Sequence, residues 1–409
     1  MKNQEHERLR VLPTEDGELL IGGQKVSRLA LRAGRTPFYV YDRAAISERI
    51  AQLRQALPER VHIHYAIKAN PMPALLGHMR PLVDGFDVAS ANEMRVALDS
   101  GMAPDNISFA GPGKRDEELL SAVGAGICIN CESETELARI RDISEQRGIR
   151  ARVAIRVNPD FELKGAGMKM SGSPKQFGID AERVPAAVRA AIDYGLAFEG
   201  LHIFCGSQNL RSEAIIEANA KTLELAAQLA RETGVAFRSL NIGGGYGIPY
   251  FPGERSIDLP AIGTALGDSV RRHAETLGGA EIVVELGRYL VGEAGYYVCR
   301  VIDIKTSQGE TFVIVDGGLH HHLANSGNFG QVLRKNYPVV FGNRLHQPAQ
   351  NRVSVVGPLC TPLDIVGSKL SAPALQQNDF VVVLQSGAYG ATASPARFLD
   401  HPGPIELLG

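Results

Sequence analysis

Lys68 ends the stretch His64-Tyr65-Ala66-Ile67-Lys68 and is followed almost at once by a break at Asn70-Pro71. Val61, Ile63, Tyr65 and Ile67 give the preceding run the pattern of a strand, so the amine sits at a strand tip, at the mouth of a core. An amine withdrawn from water gives up its proton more readily and becomes a nucleophile for carbonyl carbon, the route to a Schiff base. On this segment alone, a strand-end lysine that simply reaches out to solvent is the better reading. Three other places reverse that preference. Gly243-Gly244-Gly245-Tyr246-Gly247 follows another apolar run, and a triple glycine there lets backbone amides close on an anion such as a phosphate, although alone it is also a tight turn. Ser207, in Cys205-Gly206-Ser207-Gln208, adds a hydroxyl donor for the same anion. Glu285 ends the apolar run Glu281–Leu286, where a carboxylate needs a cation or a proton donor.

The elements that must position these residues alternate. Short apolar strands are expected at Val61–Ile67, Gly85–Ala89, Ile107–Ala110, Gly126–Cys131, Arg152–Val157, Gly200–Phe204, Ser239–Ile242 and Glu281–Leu286. Helical patterns such as Ser133–Arg147, Arg183–Tyr194, Ala214–Thr233 and Leu259–Leu277 separate them, with a capping box at Ser133 and Glu136 and glycine stops at Gly148 and Gly234. Eight such repeats across about 250 residues match a parallel (β/α)8 barrel over 36–287. Beyond it, Tyr296–Thr306, Thr311–Asp316, Arg352–Val356 and Asp379–Leu384 read as strands without long helices. The pieces Leu19–Ile21 and Gln24–Leu29 are expected to pair with them, giving a β-rich second domain from 1–35 and 288–409. Barrel chemistry gathers at the C-terminal strand ends. Lys68, Asp87, Asn158, Ser207, the glycines and Glu285 all fall there. Lysine, phosphate nest and buried carboxylate on one rim describe a site for pyridoxal 5′-phosphate (PLP). Lys68 would hold the aldehyde, Gly243 to Gly245 the phosphate and Glu285 the pyridine nitrogen.

Composition removes other classes. Forty-three basic against 45 acidic residues give a formal charge of −2, which implies no nucleic-acid partner. Met1 to Arg10 is charged and lacks the apolar stretch of a secretory signal, and no run of about 18 apolar residues offers a membrane span. Five scattered cysteines suggest a reducing compartment, so the expected address is the cytoplasm. Cys128 and Cys131 lie three apart on one expected strand and therefore face opposite sides, which argues against a shared metal or disulfide. Consecutive His320, His321 and His322 on extended chain likewise do not share a metal, and one or two of them are expected to face the substrate entrance. No metal site is expected.

The combination Tyr-Ala-Ile-Lys-Ala-Asn, Phe-Asp-Val-Ala-Ser, Gly-Ser-Gln, Gly-Gly-Gly-Tyr-Gly, Glu-Leu-Gly-Arg, Gly-Pro-Leu-Cys and Gly-Ala-Tyr-Gly resembles the fold-type III PLP-dependent decarboxylases, which include diaminopimelate, ornithine and arginine decarboxylases. That resemblance implies Lys68 as the Schiff-base lysine and Glu285 on the ring nitrogen. It places Ser207, Gly243, Gly244, Gly245, Arg288 and Tyr389 around the phosphate, with Asp87, Phe204, Leu286 and Gly287 also beside the cofactor. Cys360 would be the proton donor, reaching the site from the partner subunit of a homodimer. A glutamate on the ring nitrogen keeps it protonated and deepens the electron sink, which favours decarboxylation over the racemisation of barrel relatives that use arginine there.

Three departures bear on substrate. Diaminopimelate decarboxylases stack a histidine on the ring two residues before Gly-Ser, where this chain has Phe204, which keeps only the packing role. His202, two residues earlier on the same strand face, reads as either a cofactor neighbour or a satisfied core histidine, and the second is preferred. After Cys360 the family carries an acid for a distal ammonium, and here stands Thr361-Pro362. Asp364 is nearby, but the family keeps an acid at that offset too. Finally, the Arg–Tyr pair that binds a distal carboxylate in the diaminopimelate enzymes gives way to His320-His321-His322 and a Gly/Asn/Ser-rich loop through Gly330. The segments Cys-Thr-Pro-Leu-Asp and Phe-Leu-Asp-His-Pro-Gly-Pro resemble the subgroup linked to carrier-protein-bound substrates and exosortase/exopolysaccharide clusters. The expected substrate is an amino acid, or an aminoacyl group on an acyl carrier protein, without a distal ammonium. Diaminopimelate decarboxylase proper, a PLP racemase and a catalytically silent PLP-binding homologue stay open as alternatives.

Overall fold

The computed structural model describes residues 6, 9, 11–329 and 334–409. Apart from His6 and Leu9, the charged stretch Met1–Arg10 lies outside the described residues, as does Gly330 at the end of the loop singled out above. Contacts divide the chain into two compact units, one of Glu48–Ile248 and Ser256–Leu290, the other of Met1–Ser47, Pro249–Arg255 and Val291–Gly409.

The first unit is a closed parallel barrel. Its strands are Val61–Ala66, Gly85–Val88, Ile107–Phe109, Cys128–Cys131, Arg152–Asn158, Ala197–Ile203, Ser239–Gly244 and Glu281–Leu286, each paired with the next. The eighth closes on the first, with Glu285 beside His64 in register. Helices between them start and stop where the sequence signals. Ser133 caps Glu134–Arg147 by accepting from the Glu136 N–H at 3.1 Å, and Gly148 ends it in the left-handed conformation. The capping box is not completed. The Glu136 carboxylate turns instead to the buried Lys114 ammonium (3.1 Å) and to the Glu132 N–H (2.8 Å), one residue before the cap. Leu259–Leu277 breaks at His273 into Leu259–Arg272 and Ala274–Leu277.

The barrel is not filled by branched aliphatics. At the N-terminal strand ends it holds a cavity of about 510 Å³ lined by His62, His64, Ser108, Cys128, Asn130 and Asn241, together with paired charges such as Arg152 and Glu199.

In the second unit, Gly295–Ser307 is the central strand, pairing with Glu310–Val315, Phe380–Val383 and Phe38–Tyr41. Phe38–Tyr41 thus belongs to this unit rather than to the barrel range beginning at residue 36. It also takes Ile405–Leu408 as a parallel neighbour. The early pieces behave differently from expectation. Gln24 and Lys25 form a two-residue strand, and Val26–Ala33 is a helix whose buried face is Val26, Leu29 and Ala30. The spacing of three and four places those residues on one helical face, which outweighs the strand-like composition. Thr14–Glu15, Glu18–Ile21 and Gln24–Lys25 make their own small sheet, and Leu19 and Ile21 pack against Val298, Val340 and Val382 instead of extending the larger one.

His320, His321 and His322 are all buried within this unit and do not face an entrance. His321 contacts the Tyr297 hydroxyl (3.1 Å) and the Pro402 carbonyl (2.9 Å), and His322 contacts the Ser386 hydroxyl (2.9 Å). Burial pushes them down, to about 3, about 4 and about 3 respectively. Among the described residues, no group of side chains could hold a metal ion, and no helix is long and apolar enough to cross a membrane.

A histidine whose folded pKa lies below its unfolded value of 6.5 is protonated first in the unfolded chain as pH falls. Stability contributed by these three residues is therefore present above about pH 6.5 and lost as pH drops towards 4. The urea midpoint should decline across that window, and His322→Phe should flatten the decline.

Candidate active site

Lys68 sits in the one-turn 3-10 helix Ile67–Ala69, directly after the first barrel strand. The turn is fixed by the buried Tyr65 hydroxyl, which donates to the Asn70 carbonyl at 2.9 Å, and by Asn70 Oδ1, which accepts from the Met72 N–H. The amine is not withdrawn from water as the strand-tip reading implies, since its side chain is 44% exposed. Its orientation comes from charge: Nζ lies 3.4 Å from Glu285 Oε1 and 5.5 Å from the centre of the Phe204 ring.

Glu285 is 5% exposed, and His202 Nε2 lies 3.1 Å from its second oxygen, Oε2. Burial opposes the carboxylate's charge, yet Lys68, His202 and Arg156 outweigh it and hold the group below the usual carboxylate range. His202 is thus not an inert core residue. Strand parity places it on the face of Phe204, and that was the one signal available in the sequence. Beside Glu285, His64 Nδ1 meets Asp87 Oδ1 at 3.2 Å, and the Ser108 hydroxyl donates to the same oxygen. Asp87 Oδ2 is buried without a hydrogen-bond partner among the described residues. Burial works against a charge on His64, but Asp87, Asp84 and Glu285 raise its pKa.

The glycine loop adjoins this group. Gly243 and Gly245 have φ of +69° and +76°. A Cβ on Gly243 would lie 3.0 Å from the Phe204 ring, one on Gly244 2.3 Å from the Glu285 carbonyl oxygen, and one on Gly245 2.1 Å from the Gly206 carbonyl oxygen. Gln208 locks the loop to the Ser207 segment: its side-chain amide donates to the Ile248 carbonyl (2.6 Å) and accepts from the Ile248 N–H (3.2 Å). Asn209 and Gly245 add a backbone bond at 2.9 Å. Gln208 does this from φ +57°, a left-handed conformation that costs a non-glycine residue about 1 kcal/mol. Nothing in the sequence marks it as a clamp.

Lys68, Phe204, Ser207, the glycines and Glu285 are therefore brought together. Leu286 is buried, and Gly287 leaves room beside Ala69, whose Cβ a side chain would approach to 3.0 Å. Arg288 opens the short helix Arg288–Val291. Cys360 and Tyr389 belong to the second unit, Cys360 exposed and Tyr389 at φ +57°. The residues fit PLP: a primary amine addressed by a carboxylate, and a side-chain-free nest with an adjoining hydroxyl.

Residues 43–292 match the family described as pyridoxal-dependent decarboxylase, pyridoxal binding domain. The chain belongs to the pyridoxal-dependent decarboxylases. It is 40% identical over 379 residues to the L-glutamyl-[BtrI acyl-carrier protein] decarboxylase of Niallia circulans, covering 91% of this chain and 88% of that one. Diaminopimelate decarboxylase of Thermoplasma acidophilum is 31% identical, covering 95% and 90%. Among solved structures, the M. jannaschii diaminopimelate decarboxylase in complex with L-lysine superposes with a TM-score of 0.88 at 25% identity, covering 97% and 92%. The Aquifex aeolicus protein AQ1208 gives 0.83 at 30% identity, again covering 97% and 92%. This decarboxylase uses PLP and acts on amino-acid chemistry, on the barrel and β-sheet architecture of its relatives.

If the nest binds the phosphate, Gly245→Ala should cost it dearly. With the added methyl pressed on the Gly206 carbonyl, reconstituting the apoenzyme, followed by absorbance, should need at least about tenfold more PLP.

Proposed function

We propose that this decarboxylase removes the α-carboxylate from an aminoacyl group that has no distal ammonium and is carried through its side-chain acyl group on a carrier protein. The observation that carries this reading is Asp364, the only acid near Cys360 in sequence that could replace the missing ammonium partner. Its Oδ1 accepts from the Leu319 N–H (2.6 Å) and its Oδ2 from the Leu359 N–H (2.9 Å), and it is 2% exposed. A Cβ on Gly318 or Gly357 would strike this carboxylate at 2.1 and 2.2 Å. Asp364 is committed to building the Cys360 loop, and Thr361 brings no charge. The relative that acts on a carrier-bound glutamyl group supports the same choice. The chemistry narrows it further: the α-amine must meet the cofactor aldehyde and the α-carboxylate must leave, so only the side chain is free to bear the carrier.

Bound PLP supplies the electron sink for the pair left behind when the Cα–carboxylate bond breaks. The protein's residues do the rest. Lys68 would hold the cofactor's aldehyde carbon through its amine. Glu285 would keep a proton on the ring nitrogen, with Phe204 and Asp87 beside the ring. Ser207, Gly243, Gly244, Gly245, Arg288 and Tyr389 would hold the phosphate, with Leu286 and Gly287 shaping the wall. Cys360 delivers a proton to Cα. We place Cys360 in the site of a second copy of the chain, because its thiol is exposed in a unit that also exposes Phe329, Leu363, Phe398 and Leu399. Five free cysteines support a reducing compartment, the cytoplasm.

Carbon dioxide release should be at least about a hundredfold faster, as kcat/KM, from a side-chain-linked glutamyl carrier protein than from free lysine, ornithine, arginine or meso-diaminopimelate. Rapid turnover of any of those four would defeat the substrate reading. Mixing inactive Lys68→Ala and Cys360→Ala enzymes should restore about a quarter of wild-type activity, the share of intact sites in randomly paired dimers. No recovery would defeat the shared site.

A further inference from the structure

Glu285 reaches the site from the eighth strand, and the side chain that fixes it comes from the sixth. His202 is 2% exposed and its Nε2 is 3.1 Å from Oε2. Its other nitrogen, Nδ1, is buried without a hydrogen-bond partner among the described residues. A proton on Nδ1 would have no acceptor, so the ring carries its proton on Nε2 and gives it to Glu285. The carboxylate's remaining oxygen, Oε1, faces the Lys68 ammonium. Once Lys68 is engaged by an aldehyde, that ammonium no longer neutralises Glu285, and the contact from His202 remains. Arg156, the other cation acting on the carboxylate, is already paired with Glu132 at 2.8 Å, and His64 with Asp87.

We propose that His202 is a positioning residue of the decarboxylase: its hydrogen bond to Oε2 holds Glu285 ionised with Oε1 turned to the cofactor, so that the proton shared between Glu285 and the ring nitrogen rests on the nitrogen. The inference rests on Glu285 being the partner of that nitrogen. A hydrogen bond donated to a carboxylate favours its charged form, and it lies closer to Glu285 than to the ring. Losing it shifts the shared proton towards Glu285 by roughly one to two powers of ten and weakens the electron sink by as much.

The test uses holoenzyme reconstituted with PLP labelled with ¹⁵N in the ring. His202→Met keeps similar bulk without a donor, and His202→Gln keeps an N–H near the place of Nε2. In the Met enzyme the ring-nitrogen resonance should move towards the unprotonated position. Its kcat should fall about tenfold to a hundredfold while KM changes less than about threefold, and the Gln enzyme should recover most of both. An unmoved resonance in the Met enzyme, or equal losses in Met and Gln, overturns the assignment. Should the Met enzyme not fold, ¹⁵N-histidine spectra of the wild-type holoenzyme decide: a His202 proton on Nε2 alone upholds the proposal, and one on Nδ1 overturns it. Glu285→Gln separates the two levels. If it leaves the ring nitrogen unchanged, the reading of Glu285 fails and takes this one with it. If it moves the resonance while His202→Met does not, only the role of His202 falls.

Discussion

An ionised carboxylate inside a barrel is the constraint around which the first unit is organised. A charge at Glu285, 5% exposed, is tolerable only when cations and hydrogen-bond donors meet it at short range. That requirement brings Lys68 from the first strand and His202 from the sixth to the end of the eighth. It also explains why closure matters, because the first strand is the eighth strand's neighbour only in a closed sheet. The same carboxylate residue limits the seventh strand, where only glycine fits at Gly244 against its backbone oxygen. Charge pairing and strand packing thus make one demand.

The second unit repeats the device with another buried acid. Asp364 is satisfied by two backbone N–H groups, one on each of two loops, with His401 adding a smaller electrostatic pull. Burial raises its pKa and those two donors pull it back. The outcome is structural: the loop carrying Cys360 and the segment carrying the three histidines are tied to one side chain. A carboxylate spent on backbone amides has little left to offer any other partner, and in this the two buried acids differ.

Most of the barrel could be read from the sequence because each strand is a short apolar run bounded by glycine or a helix cap, and the reactive residues fall where those runs end. Glu285 and the glycine loop were legible for that reason. His202 was legible only as a neighbour of Phe204 on one strand face, since a lone histidine on an apolar strand carries no mark of the acid it meets in the fold. Gln208 was hidden because its role is a backbone contact forty residues away, at Ile248. Gln24–Leu29 reads as strand by composition, but only Gln24–Lys25 is one, and from Val26 the buried residues recur at three and four. Phe38–Tyr41 looked like the approach to the barrel because it is separated from its partners, Tyr296 to Val298 and Leu407, by the whole barrel sequence. One or two of the three histidines are expected at an opening because their segment stands where the family binds a distal carboxylate, and the aromatic neighbours of His322, Tyr297 and Tyr337, face it only in the fold.

The cavity at the N-terminal strand ends has a thermodynamic consequence. Side chains such as His62, His64, Asn130 and Asn241 occupy positions that branched hydrocarbon fills in most barrels. Unfolding therefore exposes less new apolar surface, and more polar surface, than the size of the unit would suggest. The two contributions to heat capacity have opposite signs, so the increment per residue is reduced. The stability of this barrel accordingly varies with temperature along a flatter curve.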